Sequence, residues 1–356
     1  MPMSPVANHP AERSLEYPFT FKPALGETIE VAPGVLWIRM TLPYTLNHIN
    51  LWALEDGEGW AIVDTGVRDK ETTDAWRMIF AKSFCGRPVT RVFVTHMHPD
   101  HVGMAGWLTR RFSCRLWMTR EEYLTCRVLV ADTGREAPAE GVSFYRRAGW
   151  TDDQLETYRT RFGSFGKSVY ALPDNFRRLH DGEVLTIGER EWEVVIGNGH
   201  SPEHACLVCH ASGLLISGDQ VLPRISSNVS VFPTEPDADP LGDWLASIER
   251  LRMRISPDVL VLPAHNEPFR GLHQRLNHLE RTHIESLDQL ERAITRRSRA
   301  VDVFAALFSR SIDGDDAQLV SMATGESVAH LNRLLCAGRA RVDDEQGVAW
   351  YSRAIA

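Results

Sequence analysis

Apolar positions in the first third of the chain come in short runs closed by turn residues. "TIEVAPGVLWIRM" (28–40), "HINLWALED" (48–56) and "GWAIVDTG" (59–66) are rich in β-branched and aromatic residues, the pattern of consecutive strands. A helix then fits "DKETTDAWRMIFAKSF" (69–84), a buried strand "RVFVT" (91–95), a helix "VGMAGWLTRRF" (102–112) and a short strand "RLWM" (115–118). Residues 119–172 break this rhythm and predict a helical insertion. It is rich in arginine and aromatics (Phe144, Tyr145, Trp150, Tyr158, Phe162, Phe165, Tyr170), and Thr151 and Gln154 have capping-box spacing before Leu155, Tyr158 and Phe162. Strand patterning resumes in "EVLTIGEREWEVVIGNGH" (183–200) and "HACLVCHASGLLISGDQ" (204–220), with a Ser-Gly turn inside the second.

Asp239-Pro240 supplies an N-cap and first-turn proline for a helix with Leu241, Trp244, Leu245, Ile248 and Leu251 on one face. The buried strand "DVLVLPAH" (258–265) precedes a long helix striped by Leu272, Leu276, Leu279, Leu287, Leu290 and Ile294. From residue 299 the pattern predicts helices over "VDVFAALFSR" (301–310) and "DAQLVSMA" (316–323). A third starts near Thr324 and stops at Gly338, and a hairpin follows over 339–353, the layout of a winged helix. The expected organisation is an N-terminal arm (1–26), a catalytic domain (27–298) and a small winged-helix-like domain (299–356).

With 356 residues, 43% of them hydrophobic, the chain can bury a large core. Net charge is −8, and lysine occurs only at 22, 70, 82 and 167, so no basic face points to a polyanion. The six cysteines are scattered. Cys206 and Cys209 lie three apart in a predicted strand and so face opposite ways, which suits buried reduced thiols better than a ligand pair. No export signal or membrane-length apolar run is visible, and the expected location is cytoplasmic, away from the membrane.

The chemistry concentrates in "THMHPDH". His96, His98, Asp100 and His101 fall within six residues, after an apolar run and before a helix start. Such a strand–loop junction can aim His96 and His98 to one side and Asp100 and His101 to another, seeding two adjacent metal positions. Three further donors close buried runs: His200 after "WEVVIGNGH", Asp219 after "GLLISGD" and His265 after "DVLVLPAH". Any one of these could merely cap a strand. Their repetition alongside HxHxDH points to a metal centre.

With these residues the chain resembles the metallo-β-lactamase-fold hydrolase superfamily, whose HxHxDH signature reads here His96-Met97-His98-Pro99-Asp100-His101. The resemblance covers about residues 27–275. It implies an α/β fold, the αββα metallo-β-lactamase sandwich, here with a helical insertion and a small C-terminal winged-helix-like domain. It also implies two divalent ions per chain: His96, His98 and His200 hold one, Asp100, His101 and His265 the other, and Asp219 bridges. Di-iron redox members of the superfamily tend to carry Glu where this chain has His98, so zinc is expected, with iron or manganese as alternatives that nitrogen and oxygen donors also accept.

Paired cations acidify a shared water and polarise a scissile carbonyl or phosphoryl group, and Asp100 is the residue expected to orient the hydroxide and shuttle its proton. Asp64, in "VDTG", and His204 are expected to support ligands from behind. Arg224 and Asn228, in the loop after Asp219, are candidate substrate contacts.

The expected reaction is ester-type hydrolysis, with thioesters of acyl-CoA or glutathione type first and lactones or carboxyl esters next. The partner would be a small molecule with an acyl or aromatic group, held against an apolar wall from the insertion. Alternatively, those aromatics pack among themselves or across a homo-oligomer. A lactamase-like endoribonuclease or other phosphodiesterase is the rival, because similar tails occur in nucleases of the superfamily. From residue 299, however, six arginines face eight acidic residues, which supplies phosphate binding poorly. A non-enzymatic sensor, reporting metal or ligand through the tail, is the third reading, and the complete donor set argues against it.

Overall fold

A computed structural model describes residues 15–43, 46–308, 311–312, 314 and 316–354. The first fourteen residues of the expected arm lie outside the described residues. Leu15 is buried, and Glu16 pairs with Arg270 in an isolated antiparallel bridge, so the rest of the arm is fastened to the body.

Seven strands form the first sheet in sequential order: β1 (Thr28–Ala32), β2 (Val35–Thr41), β3 (His48–Asp56), β4 (Gly59–Val63), β5 (Val89–Phe93), β6 (Arg115–Met118) and β7 (Arg177–Arg178). Five form the second: β8 (Val184–Ile187), β9 (Arg190–Gly197), β10 (His204–Cys209), β11 (Leu214–Gly218) and β12 (Leu260–Pro263). Alternation sorts their side chains into three cores. Trp37, Trp52, Val63, Val194, Leu207 and Ile216 meet between the sheets. Ile38, Leu51 and Ile62 turn outward onto α1 (Lys70–Lys82), α3 (Ala105–Phe112) and α4 (Arg120–Ala131). Val195, Cys206 and Val261 turn outward on the other side, onto α7 (Pro240–Arg254) and α8 (Leu272–Ala293). The result is the expected αββα sandwich. Cys206 and Cys209 occupy different cores, as their spacing predicts.

Local signals set several boundaries as read. Asp69 caps α1 by accepting from Thr72 N, Asp239 caps α7 ahead of Pro240, and both halves of the Thr151/Gln154 capping box form at α6 (Asp152–Arg161). The helix expected over 102–112 is instead two: a four-residue turn, α2 (Pro99–Val102), inside the histidine motif, and then α3.

The insertion is helical, comprising α4, α5 (Ala139–Ala148) and α6, and it passes from one outer layer to the other. Tyr123 and Cys126 of α4 pack with the first sheet's helices, whereas Phe144, Tyr145, Trp150 and Leu155 join the α7/α8 core. After α8 come α9 (Phe304–Leu307), α10 (Ala317–Cys336) and the hairpin β13 (Ala340–Glu345) with β14 (Val348–Arg353). Ala300, Leu331, Leu334, Ala349 and Tyr351 share the α7/α8 core, so the hydrophobic interior runs unbroken past residue 298. Among the described residues, no helix is long and apolar enough to cross a membrane.

The tail departs from expectation at two points. The helix predicted over 301–310 is a 3-10 turn (Ala300–Val303) leading into the four-residue α9, with residues 309 and 310 outside the described residues. The helices predicted over 316–323 and from Thr324 are a single 20-residue helix, α10. Glycine is disfavoured inside a helix by propensity, yet Gly325 serves a close approach. A Cβ there would lie 2.8 Å from Ser230 Oγ and 3.0 Å from the Val231 carbonyl oxygen. Gly325→Ala gains about 1 kcal/mol in helix propensity but loses about 1–3 kcal/mol to overpacking. The expected outcome is net destabilisation in denaturant unfolding; a stabilised variant would mean that the loop yields freely.

Candidate metal centre

Each donor follows the end of a strand at one edge of the sandwich. His96 to His101 follow β5, in the first sheet, and His200, Asp219 and His265 follow β9, β11 and β12, which run in one direction in the second. Backbone bonds stitch the sheets together here, from Ala205 N to Thr95 O (2.8 Å) and from Asn50 N to Ala264 O (2.6 Å).

The side chains converge in two groups, His96/His98/His200/Asp219 and Asp100/His101/His265. In the first, His96 Nε2 lies 2.8 Å from His98 Nδ1 and 3.3 Å from His200 Nε2. In the second, Asp100 Oδ2 lies 3.5 Å from His265 Nε2 and 3.8 Å from His101 Nε2. Asp219 stands between the groups, with Oδ2 3.5 Å from His200 Nε2 and Oδ1 3.3 Å from His265 Nε2. Donors bound to one tetrahedral ion at about 2.0–2.1 Å lie about 3.3 Å apart, so both spacings suit divalent ions. Two buried atoms at the centre, His101 Nε2 and Asp219 Oδ1, have no hydrogen-bond partner. Buried polar atoms are rarely left unpaired, and a cation would satisfy both. The donor set therefore fits two metal ions.

Electrostatics suit the same role. Burial first, then the neighbouring imidazoles, hold His96 and His98 well below the usual histidine range, so both are neutral donors. Burial disfavours the charged form of Asp219, but His265 and His101 outweigh it and keep the carboxylate ionised.

Outer contacts fix the rings. His101 Nδ1 donates to Asp64 Oδ2 at 2.8 Å, and Asp64 also accepts from Thr95 N and Thr95 Oγ1. Asp64 pays for this position with a left-handed backbone, φ 60°. His204 stays outside both donor groups, and its Nε2 accepts from Asp219 N at 3.0 Å. Gly218, at φ 49°, leaves room for that imidazole, which a Cβ would strike. Asp64 and His204 thus stand behind the donors, bonded to His101 Nδ1 and to Asp219 N.

Three supporting residues escaped the sequence reading. Glu122, fully buried on α4, accepts from Met97 N (2.9 Å), Ser201 Oγ (2.5 Å) and Glu203 N (2.8 Å), tying the HxHxDH loop to the His200 loop. His48 offers its carbonyl oxygen to His265 Nδ1 at 2.8 Å, and its Nε2 accepts from Asn266 N. The Asn50 amide donates to the carbonyls of Pro263 and Asn266. Only partners more than 200 positions away reveal His48 and Asn50.

The two expected substrate contacts divide. Arg224 is not among the residues lining the cavity beside the donors: its Nε donates to Glu267 Oε2 at 3.0 Å and its guanidinium packs 4.4 Å over the Tyr17 ring. Asn228 lines that cavity, and its carbonyl oxygen accepts from His200 Nδ1 at 2.7 Å.

The cavity holds about 300 Å3, and His98, Asp100, His200, Asp219 and His265 are among its lining residues. Of the two arrangements expected for the insertion aromatics, packing among themselves is the one observed. Only Tyr145 among them reaches the cavity, whose apolar wall comes from Leu222, Ile225, Val231 and Phe232 in the loop after Asp219 and from Met322 on α10. The insertion aromatics stack on one another instead, Tyr145 with Trp150 and Tyr158, and bond to α10 through Trp150 Nε1–Thr324 Oγ1 and Tyr145 Oη–Ser321 Oγ. Buried Arg275 on α8 pins the loop by donating to the carbonyls of Leu222 and Ile225.

A family model described as the metallo-beta-lactamase superfamily matches residues 44–265. The chain belongs to that superfamily. A second model, metallo-beta-lactamase-like C-terminal domain, matches residues 287–354 and starts inside α8. The structure is similar to that of a beta-lactamase domain protein from Burkholderia ambifaria, at 41% identity and a TM-score of 0.87, covering 97% of this chain and 99% of that one. Among curated relatives, acyl-coenzyme A thioesterase MBLAC2 of Homo sapiens is 25% identical over 66% of this chain and 79% of its own length. Hydroxyacylglutathione hydrolase GloC of Haemophilus influenzae is 23% identical over 59% and 82%. This member of the metallo-beta-lactamase superfamily is a metal-dependent hydrolase with two metal-binding groups.

Proposed function

We propose that this hydrolase cleaves acyl thioesters, of CoA or glutathione type, with zinc as its metal. The carrying observation is the cavity, whose lining combines the donors His98, Asp100, His200, Asp219 and His265 with the apolar residues Leu222, Ile225, Val231, Phe232 and Met322. Such a lining suits a carbonyl beside the donors and an acyl chain against the apolar residues, with a polar carrier extending outward. The names of the thioesterase and hydroxyacylglutathione hydrolase relatives support the same class.

Bound zinc would polarise the scissile carbonyl and acidify a water. The chain's own residues do the rest. Asp100, beside His101 and His265, takes the proton from the attacking water. The apolar wall orients the acyl group and keeps bulk water from it.

A panel of acyl-CoA and acyl-glutathione thioesters, lactones and a structured RNA at varied salt tests this reading. Thioester turnover with kcat/KM of about 10⁴ M⁻¹s⁻¹ or more, lost on chelation, is expected. Metal-dependent RNA cleavage without acyl hydrolysis would overturn it and restore the endoribonuclease.

A further inference from the structure

Three of the four ring anchors at the metal centre come from the sandwich itself. Thr95 Oγ1 faces His96 Nδ1 at 3.0 Å, Asp64 holds His101, and the His48 carbonyl holds His265. His200 differs. Its Nδ1 donates to the carbonyl oxygen of Asn228, which lies in a stretch, 225–232, without helix or strand. No ladder of backbone bonds aims that carbonyl, so its direction depends on what clamps the loop.

The clamp is α10. Val231 N donates to the Gly325 carbonyl at 3.0 Å, and one residue further on Glu326 Oε2 accepts from Asn228 Nδ2 at 2.9 Å. Ser230 Oγ closes the other side of the same amide, donating to Asn228 Oδ1 at 2.5 Å. A line of bonds thus runs from the His200 ring through the Asn228 main chain and side chain to Glu326, within the segment matched by the C-terminal family model.

The geometry points to Glu326 and Asn228 as positioning residues of the metal centre: the C-terminal helix aims His200 and thereby sets the affinity of the His96/His98/His200 group for its ion. Glu326 is costly to keep. The residue is partly buried, enclosure pushes its carboxyl up to about 7, and the hydrogen bond to Asn228 is its side-chain contact in this site. Withdrawing a carboxyl group even partly from water costs free energy unless its hydrogen bond serves something, and that bond goes to Asn228. Outer contacts of this kind commonly change metal affinity by about 10–100-fold.

The test uses the full chain and titrates zinc against a competing chromophoric chelator, with thermal unfolding recorded in parallel. Glu326→Ala and Asn228→Ala are each expected to weaken one of the two zinc ions by about 10–100-fold. Glu326→Gln keeps an acceptor oxygen and is expected to restore most of the affinity. The double variant should bind no more weakly than the worse single one, because both changes cut the same line. Where Glu326→Ala does not fold, Asn228→Ala severs the bond from its other end. Unchanged zinc affinity in Asn228→Ala overturns the proposal, as does a Glu326→Ala that loses thermal stability alone. The readout involves no substrate, so it stands apart from the thioester assignment, whose failure would appear only in the turnover panel.

Discussion

Asp219→Ala should leave the chain with fewer than two metal ions and with hydrolysis of the proposed thioester substrate on the order of 10³-fold slower. Asp219 alone addresses both donor groups, with Oδ2 toward His200 and Oδ1 toward His265 and His101. Its loss therefore removes one negative charge from both metal positions at once. Several kcal/mol of transition-state stabilisation correspond to about a thousandfold in rate. Asp219→Asn keeps the volume and removes only the charge, and it should fall nearly as far. Metal analysis by mass spectrometry, with kcat/KM on the best thioester of the panel, checks both. An alanine variant that retains two zinc ions and wild-type turnover would contradict the bridging role.

Glu122→Ala is expected to cost about 3–5 kcal/mol in denaturant unfolding, a large share of a typical domain's stability. Its carboxyl satisfies three donors in two catalytic loops, Met97 N, Ser201 Oγ and Glu203 N, and orphaning a buried donor costs about 1–3 kcal/mol each. Glu122→Gln separates size from chemistry. Oε1 takes two of the donors and Oε2 the Met97 N–H, so the amide must turn its NH2 toward a donor on one side or the other. An intermediate loss follows. A change below about 1 kcal/mol in the alanine variant would mean that the loops hold each other without this carboxylate.

The metal centre was legible because its chemistry is local to strand ends. HxHxDH is contiguous, and His200, Asp219 and His265 each close an apolar run that becomes a buried strand. Asp64 and His204 were legible for the same reason. What escaped depends on contacts across the fold. Thr119 and Glu122 have capping-box spacing, yet no side-chain bond caps α4, because Thr119 Oγ1 donates to the Glu203 carbonyl while Glu122 faces the loops. The separate helix expected from Thr324 is continuous with the one before it, and Gly325 inside it allows the close approach of Ser230 and Val231. Arg224 follows a metal ligand closely in sequence, but Glu267 and Tyr17 claim it. The insertion's aromatics suggested a pocket wall because their partner, α10, lies more than 150 residues further along.

The spacing of donors along the chain also imposes an order on synthesis. The first group is complete once Asp219 has been made, the second only when His265 follows, and the helix that clamps the Asn228 loop comes later still, at 317–336. A ribosome-bound chain therefore exposes HxHxDH long before the remaining donors exist, and four donors in a flexible loop select poorly among divalent ions. Selection among ions by the geometry of the whole donor set therefore waits until His265 has been made.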